Sequence, residues 1–375
     1  MHKMKKFSMI CLTLILMMSV VGCGKKESTT EVPVEDTVQE AIVEEEQEEI
    51  VEETELIEPE VVLPQEVPEG MAISYLTGEY IKEELVNKRP VAVMISNIKG
   101  ALPSSSTSQA SIIYEAPVEG GITRLMAVFE DYTSLEKVGS VRSCRDYFLD
   151  YAMNFDCIYV HYGQAVYALE YLNSTAINNL NGMDGYGEQV FYRTSDRKSP
   201  HNAYTSGDGI LYGIDYKDIR TELKEDYQPQ FSFVNVGDEL ILKNGTDVST
   251  IIPGYFTNDA KFEYNPEDGL YYRYEYGDAQ NDEYFNTQLA VKNVIIQVSG
   301  WRNYDENGYL NMYTQDGGKC MYFTNGKMIE GTWTRSGKWG HETYYDLEGN
   351  EIVLNTGKTW VSVVQDSYMD RIQLS

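Results

Sequence analysis

Arg142 and Arg145 stand between a short strand-like segment, Lys137 to Val141, and a helix-like segment, so both guanidiniums fall at the expected start of a helix. The first N–H groups of a helix are unpaired and carry partial positive charge. Two guanidinium forks added there suit a phosphate or a carboxylate. Further polar residues lie close to apolar runs or their ends in the same region: Glu115, Glu119, Arg124, His161 and His201. Two kinds of chemistry fit this set. In the first, Arg142 and Arg145 hold an anionic ligand and the other residues form a polar framework around it. In the second, the arginines hold a phosphorylated or glycan substrate, Glu115 or Glu119 acts as base, and His161 shuttles a proton. Plainer roles exist for each residue. Arg124, inside an apolar run, could pair with Glu115 or Glu119 as a buried structural ion pair. A lone histidine at a strand end is more often hydrogen-bonded than catalytic. The loop Ser199-Pro200-His201-Asn202, preceded by Arg193, Arg197 and Lys198, closes over an anion or merely turns the chain. Binding is the favoured reading, because no nucleophile–base pair stands out.

These residues need elements to place them. Val91 to Ile95, Thr123 to Phe129 and Cys157 to Tyr162 are apolar runs of strand length, as expected for strands covered on both faces. Cys144 to Phe155 reads as a helix with Tyr147, Phe148, Tyr151, Ala152 and Phe155 on one face, and Ser143 with Asp146 forms a capping-box pattern at its start. Gln164 to Leu172, with Val166, Leu169 and Leu172 aligned, and Ser206 to Leu223 read as two more helices. Strands alternating with helices predict a three-layer α/β domain over residues 71–228. If its strands are parallel, His161 and the arginine pair share the carboxyl edge where such sheets bind ligands. Beyond residue 229 the pattern changes to short strands separated by Asn244-Gly245, Asn265-Pro266, Asn307-Gly308, Asn325-Gly326 and Glu348-Gly349. This predicts an all-β domain over 229–375, barrel- or sandwich-like, so the fold class is α+β overall.

The front of the chain carries an address. Three lysines, an apolar segment from Met9 to Val21, and Gly22-Cys23 read as a leader over 1–22, with the Cys23 thiol receiving diacyl (palmitate-type) lipid after cleavage. Val20 stands where leucine is usual in such a lipobox. Residues 27–69 hold 17 acidic and no basic residues, with four prolines and no aromatic, so residues 23–70 are expected to be a disordered, self-repelling linker. The expectation is a protein lipid-anchored to the cell membrane, facing the extracytoplasmic side. The whole chain has a net charge of −29 and the part beyond the linker is itself acidic, which argues against nucleic acid as a partner. An anionic cell-envelope ligand or an envelope protein is the expected partner. Cys144, Cys157 and Cys320 have no metal-binding spacing, His161 and His201 are too few for a multi-histidine centre, and no nucleotide-loop, serine-elbow or HExxH motif occurs. No metal and no cofactor is expected.

Arg89-Pro-Val-Ala-Val-Met-Ile-Ser-Asn97, Val118-Glu-Gly-Gly-Ile-Thr-Arg124, Val138-Gly-Ser-Val-Arg-Ser-Cys-Arg145 and Ser199-Pro-His-Asn202, followed by Gly331-Thr-Trp-Thr-Arg335 and Gly357-Lys-Thr-Trp-Val361, resemble the YerB-like lipoprotein family (domain of unknown function 3048). The likeness covers roughly residues 88–365. It departs at Cys144, where the family has a small residue, and at Ser140, where it has proline. The resemblance implies a lipoprotein with N- and C-terminal domains and implies no reaction, since the family's function is unassigned.

Overall fold

Val91–Ser96 (β1), Ile112–Pro117 (β2) and Thr123–Phe129 (β3) are buried at every position, as their apolar runs require of strands covered on both faces. The structure is a computed structural model and describes residues 66–375. The expected leader, the lipid-bearing Cys23 and the acidic linker as far as residue 65 lie outside the described residues. After β3 come Asp146–Met153 (α1), Ile158–His161 (β4), Asn179–Asn181 (β5) and Gly207–Tyr216 (α2). The second half adds Thr250–Ile252 (β6), Lys261–Asn265 (β7), Leu270–Glu275 (β8) and Asn293–Ser299 (β9). Next is a small hairpin, Trp301–Asn303 (β10) and Leu310–Met312 (β11). Gly318–Thr324 (β12), Lys327–Arg335 (β13), Glu342–Asp346 (β14) and Thr359–Gln365 (β15) complete the main strands. The Asn325-Gly326 turn joins β12 to β13 with both residues at positive φ, 51° and 71°, the geometry that a tight two-residue hairpin demands.

An eleven-stranded sheet runs in the order β13–β12–β9–β15–β2–β3–β1–β4–β5, with Thr246–Asp247 and β14 also paired to β13. Strands β9, β15, β2, β1, β4 and β5 point the same way, and β3 runs against its neighbours β2 and β1. On one face, a six-stranded sheet containing β6, β7 and β8 sets Ile251, Phe262 and Tyr271 into the same core as Val294, Ile296 and Trp360. Farther along that core lie Ile210 and Ile214 of α2 with Val160 and Leu180. The opposite core joins Tyr147, Phe148 and Tyr151 of α1 to Met94, Ile112 and Met126.

The structure is richer in strand than expected, and the three-layer α/β description of residues 71–228 is not confirmed. Strands β9, β12, β13 and β15, from beyond residue 229, continue the sheet that β1 to β5 begin. The helices are also shorter. Gln164–Leu172 reduces to a 3-10 turn, Val166–Ala168, and a four-residue turn, Leu169–Leu172. Val166 and Leu169, expected on a buried face, are exposed, while Ala168 and Leu172 go inside. The capping box does not form. The Ser143 hydroxyl donates to the Tyr162 carbonyl at 3.1 Å, and the Asp146 carboxylate accepts from the Tyr304 hydroxyl at 2.5 Å. Tertiary partners outcompete the local cap here. Helix α2 stops at Tyr216, short of Leu223, but does carry its cap: Ser206 Oγ accepts from the Gly209 N–H at 3.2 Å.

One buried polar group joins the two halves. Glu115 of β2 meets Arg273 of β8 at 2.7 Å with both side chains fully buried. Its other oxygen accepts from Asn97, Thr123 and Asn258 at 3.1, 2.7 and 3.0 Å. Arg273 lies over the rings of Phe262 and Trp360, 4.7 and 4.8 Å from their centroids. Truncating Glu115 deprives this buried guanidinium of its ion-pair partner. Glu115→Ala should therefore lower unfolding stability by about 3–5 kcal/mol, read from urea titration; a loss below about 1 kcal/mol would contradict the account.

Glu275 borders the same group. Burial, eased by Arg273 and reinforced by Glu115, raises its carboxyl to about 8. An acid whose folded pKa stands above its unfolded value holds its proton in the folded state while the unfolded chain releases it. Its contribution to stability is complete below the unfolded pKa and is lost as pH rises toward about 8. Glu275→Gln should flatten the fall in stability between about pH 5 and about pH 8, measured by urea unfolding at each pH. An unchanged slope would rule Glu275 out as its source.

Candidate functional site

The co-directional strands bring their carboxyl ends to one edge, the place where such sheets bind ligands. Gln365 ends β15, Pro117 ends β2, Asn97 follows β1 and His161 ends β4. Arg124, near the start of the reversed strand β3, reaches the same edge. The segment before α1 is strung across it. Val141 bridges Ile95, the Arg142 N–H donates to the Met94 carbonyl at 2.9 Å, and the Arg142 carbonyl accepts from the Tyr162 N–H at 3.0 Å. His161 and the two arginines thus share one edge.

Their partners differ from the expected ones. Arg145 grips Glu119 with both ends of its fork, at 2.8 Å from Nε to Oε1 and 2.5 Å from Nη2 to Oε2. Burial opposes the charge on each. Nevertheless, Arg145 holds Glu119 below the usual carboxylate range, and Glu119 holds Arg145 above its ordinary value. Arg124 pairs with neither Glu115 nor Glu119: it donates to the Ser143 carbonyl at 2.5 Å, and among the described residues no carboxylate forms an ion pair with it. Burial, with Arg145 and Arg142 close by, lowers Arg124 to about 9. The guanidinium stays protonated at neutral pH, so this shift registers chiefly the cost of burying the charge, with repulsion from Arg145 and Arg142 added to it. Arg142 donates to the Pro200 carbonyl at 3.0 Å, and burial, Arg145 and Arg193 all disfavour its charge. His201 is also lowered, by burial and by Arg142 and Arg197. In a strongly acidic chain, this edge gathers cations.

His161 is placed otherwise. Its ring is fully buried, with Nδ1 2.8 Å from the Gly163 carbonyl and Nε2 3.3 Å from Asn179 Oδ1. Burial lowers its pKa, against the pull of those two partners. A ring held neutral, with both nitrogens engaged, fits a structural post between β4 and β5.

Beside the arginines, at the ends of β2 and β15, lies a cleft of about 260 Å³. Its floor is Pro117, Val118 and Val364, and its walls include Glu119, Tyr255, Phe256, Trp301 and Tyr368. The loop Glu119-Gly120-Gly121 turns between β2 and β3 with both glycines at positive φ, 77° and 73°, conformations that a side chain would strain. The hairpin β10–β11 supplies another wall through Trp301, Asn303 and Leu310.

Models of the Protein of unknown function (DUF3048) N-terminal and C-terminal domains match residues 76–220 and 251–361. A Bacillus subtilis (strain 168) protein named Putative lipoprotein YerB is 31% identical over 304 residues, which is 78% of this chain and 86% of the relative. The chain belongs to the DUF3048 family. The crystal structure of YerB protein from Bacillus subtilis superposes with a TM-score of 0.70 at 28% identity, covering 81% of this chain and 99% of that one. The strands of the two DUF3048 segments lie side by side in one sheet, joined where β15 pairs with β2.

Of the residues singled out in this DUF3048 chain, Glu119, Arg124, Arg142 and Arg145 come together, with His201 nearby. Glu115 and His161 do not join them: Glu115 turns to Arg273 and His161 to Asn179. Sequence reasoning missed the aromatic cleft. A signal for the cleft existed in Gly300-Trp301, where an aromatic follows directly on the apolar run of β9. Removing Glu119, the one counter-ion paired with these three arginines among the described residues, should expose their repulsion. Glu119→Ala is expected to cost about 1–3 kcal/mol at low salt and to regain much of it as salt rises and screens the arginines. Thermal melts across a salt series check this, and equal losses at every salt concentration would refute it.

Proposed function

We propose that this protein is a lipid-tethered extracytoplasmic binding module that holds an anionic ligand of the cell envelope at the arginine edge. The observation that carries the reading is the imbalance there. Among the described residues the one carboxylate paired within the trio Arg124, Arg142 and Arg145 is Glu119, held by Arg145. The charges on Arg124 and Arg142 are disfavoured first by burial and then by neighbouring arginines, a cost that a bound phosphate or carboxylate would relieve. The expected pairing of Arg142 with Arg145 is refined in one respect. Arg145 is bound to Glu119, so Arg142, whose guanidinium donates to the Pro200 carbonyl, is the fork best able to take the ligand, and Arg124 supplies field behind it. Cys23 supports the tether, and the name of the Bacillus subtilis relative carries the same expectation for that protein. Catalysis gains less support, since Glu119 is held ionised against Arg145 and His161 has both ring nitrogens engaged.

Calorimetric titration with inorganic phosphate at low salt tests the reading. Saturable binding that weakens as salt rises, and weakens about ten-fold or more in Arg142→Ala, is expected, since a hydrogen bond to a charged group is worth about 1.5–3 kcal/mol. Equal binding by the variant would move the site elsewhere, and no binding at all would remove the proposal.

A further inference from the structure

The cleft beside the arginines has a composition that an anion alone does not explain. Trp301 and Tyr368 lie with ring centroids 5.8 Å apart and planes inclined by 33°, and Phe256 meets Tyr368 edge-on at 4.7 Å. These rings are held in place. Trp301 donates through Nε1 to the Ser367 hydroxyl at 2.8 Å, and the Arg371 guanidinium lies 4.3 Å from the centre of the Phe256 ring. Yet Phe256 is 48% exposed and Trp301 and Tyr368 are half-buried, so pre-set aromatic surface faces the opening.

Two amides line the same cleft, Asn303 and Gln365. Among the described residues, neither side chain has a hydrogen-bond partner, although Gln365 is only 6% exposed. Apolar rings and unspent amides together select the occupant. An acyl chain or an aromatic peptide side chain would cover the rings and leave both amides unpaired, which is costly once water is excluded. A pyranose ring presents a C–H face to the aromatics and hydroxyls to the amides at its rim. The volume, just under the range of about 300–1,000 Å³ usual for small-molecule sites, suits a single ring.

Glu119 connects the two places: it lines the cleft, and its carboxylate is held by Arg145, whose neighbour in charge is Arg142. We infer that the cleft formed by Trp301, Tyr368, Phe256, Asn303 and Gln365 seats a sugar ring, so that the ligand is a saccharide bearing an anionic substituent. The inference rests on the anion-binding reading above for its charged half and on the cleft for its ring.

The test is a calorimetric titration of the full-length protein with inorganic phosphate, trehalose and trehalose 6-phosphate. The variants are Trp301→Ala, Asn303→Ala and Arg142→Ala, each checked for an unchanged thermal melt. Wild type should bind the sugar phosphate about ten-fold or more tighter than phosphate, as one aromatic contact of about 0.5–1.5 kcal/mol plus hydrogen bonds would give. Trp301→Ala should reduce sugar-phosphate binding to the phosphate level while leaving phosphate binding intact. The Asn303 side chain is exposed and has no hydrogen-bond partner among the described residues, so its truncation should leave the fold intact, and it should weaken the sugar phosphate several-fold. Equal affinity for phosphate and sugar phosphate, unaffected by Trp301→Ala and Asn303→Ala, overturns the saccharide inference and leaves the anion reading standing. Binding of trehalose that depends on Trp301, with no response to phosphate or to Arg142→Ala, overturns the anion reading and the anionic half of this inference. Absence of binding by all three probes overturns both.

Discussion

Strand β15 is the member on which the rest of the structure depends. It lies between β9 and β2, parallel to both, and every one of its seven residues is buried. Its register sets Thr359 opposite Ile112 and Ser362 opposite Glu115. A slip of one residue would turn Trp360 out of one core and Val361 out of the other, so burial on both faces leaves a single register. With that register set, Gln365 and Pro117 finish at the same edge, and the cleft opens where they stop.

The polar groups inside obey the same constraint. Glu115 and Arg273 lose their hydration completely, and they are tolerated because hydrogen bonds from Asn97, Thr123 and Asn258 take up the remaining carboxylate oxygen. Arg335 and Glu342 form a second fully buried pair at 2.7 Å on the far part of the sheet. At the arginine edge the balance is left open, since Arg124, Arg142 and Arg145 have Glu119 among them. A chain of net charge −29 that concentrates unbalanced cations at a strand-end edge has separated its local field from its overall charge.

How far the sequence could be read varied with the kind of signal. The apolar runs of β1, β3 and β4 marked their strands, because double-sided burial leaves no polar position to confuse the pattern. Asn325-Gly326 marked a hairpin because few other residues accept its backbone angles. The helix over Gln164–Leu172 misled, since its apolar spacing matched a helix, yet of the aligned residues only Leu172 goes inside, with Ala168 buried in place of Val166 and Leu169. The arginine cluster was visible as a set of residue types, but not as a set of pairs. That Arg145 would take Glu119 and leave Arg124 to a carbonyl depended on distances across more than one loop.

Sequence alone was enough to determine the membership in a family, the strand-rich second half and the chemical kinds of side chain gathered near residues 115–145, because these follow from local composition and ordered motifs. Only the tertiary structure decided that β15 would enter between β9 and β2, that Glu115 would serve Arg273 and not the arginine edge, and that Trp301, Phe256 and Tyr368 would meet around one cleft. Those outcomes join residues separated by scores or hundreds of positions. Such contacts are chosen by which whole-chain arrangement buries the apolar faces and satisfies the buried charges at once, and no short stretch of sequence contains that comparison.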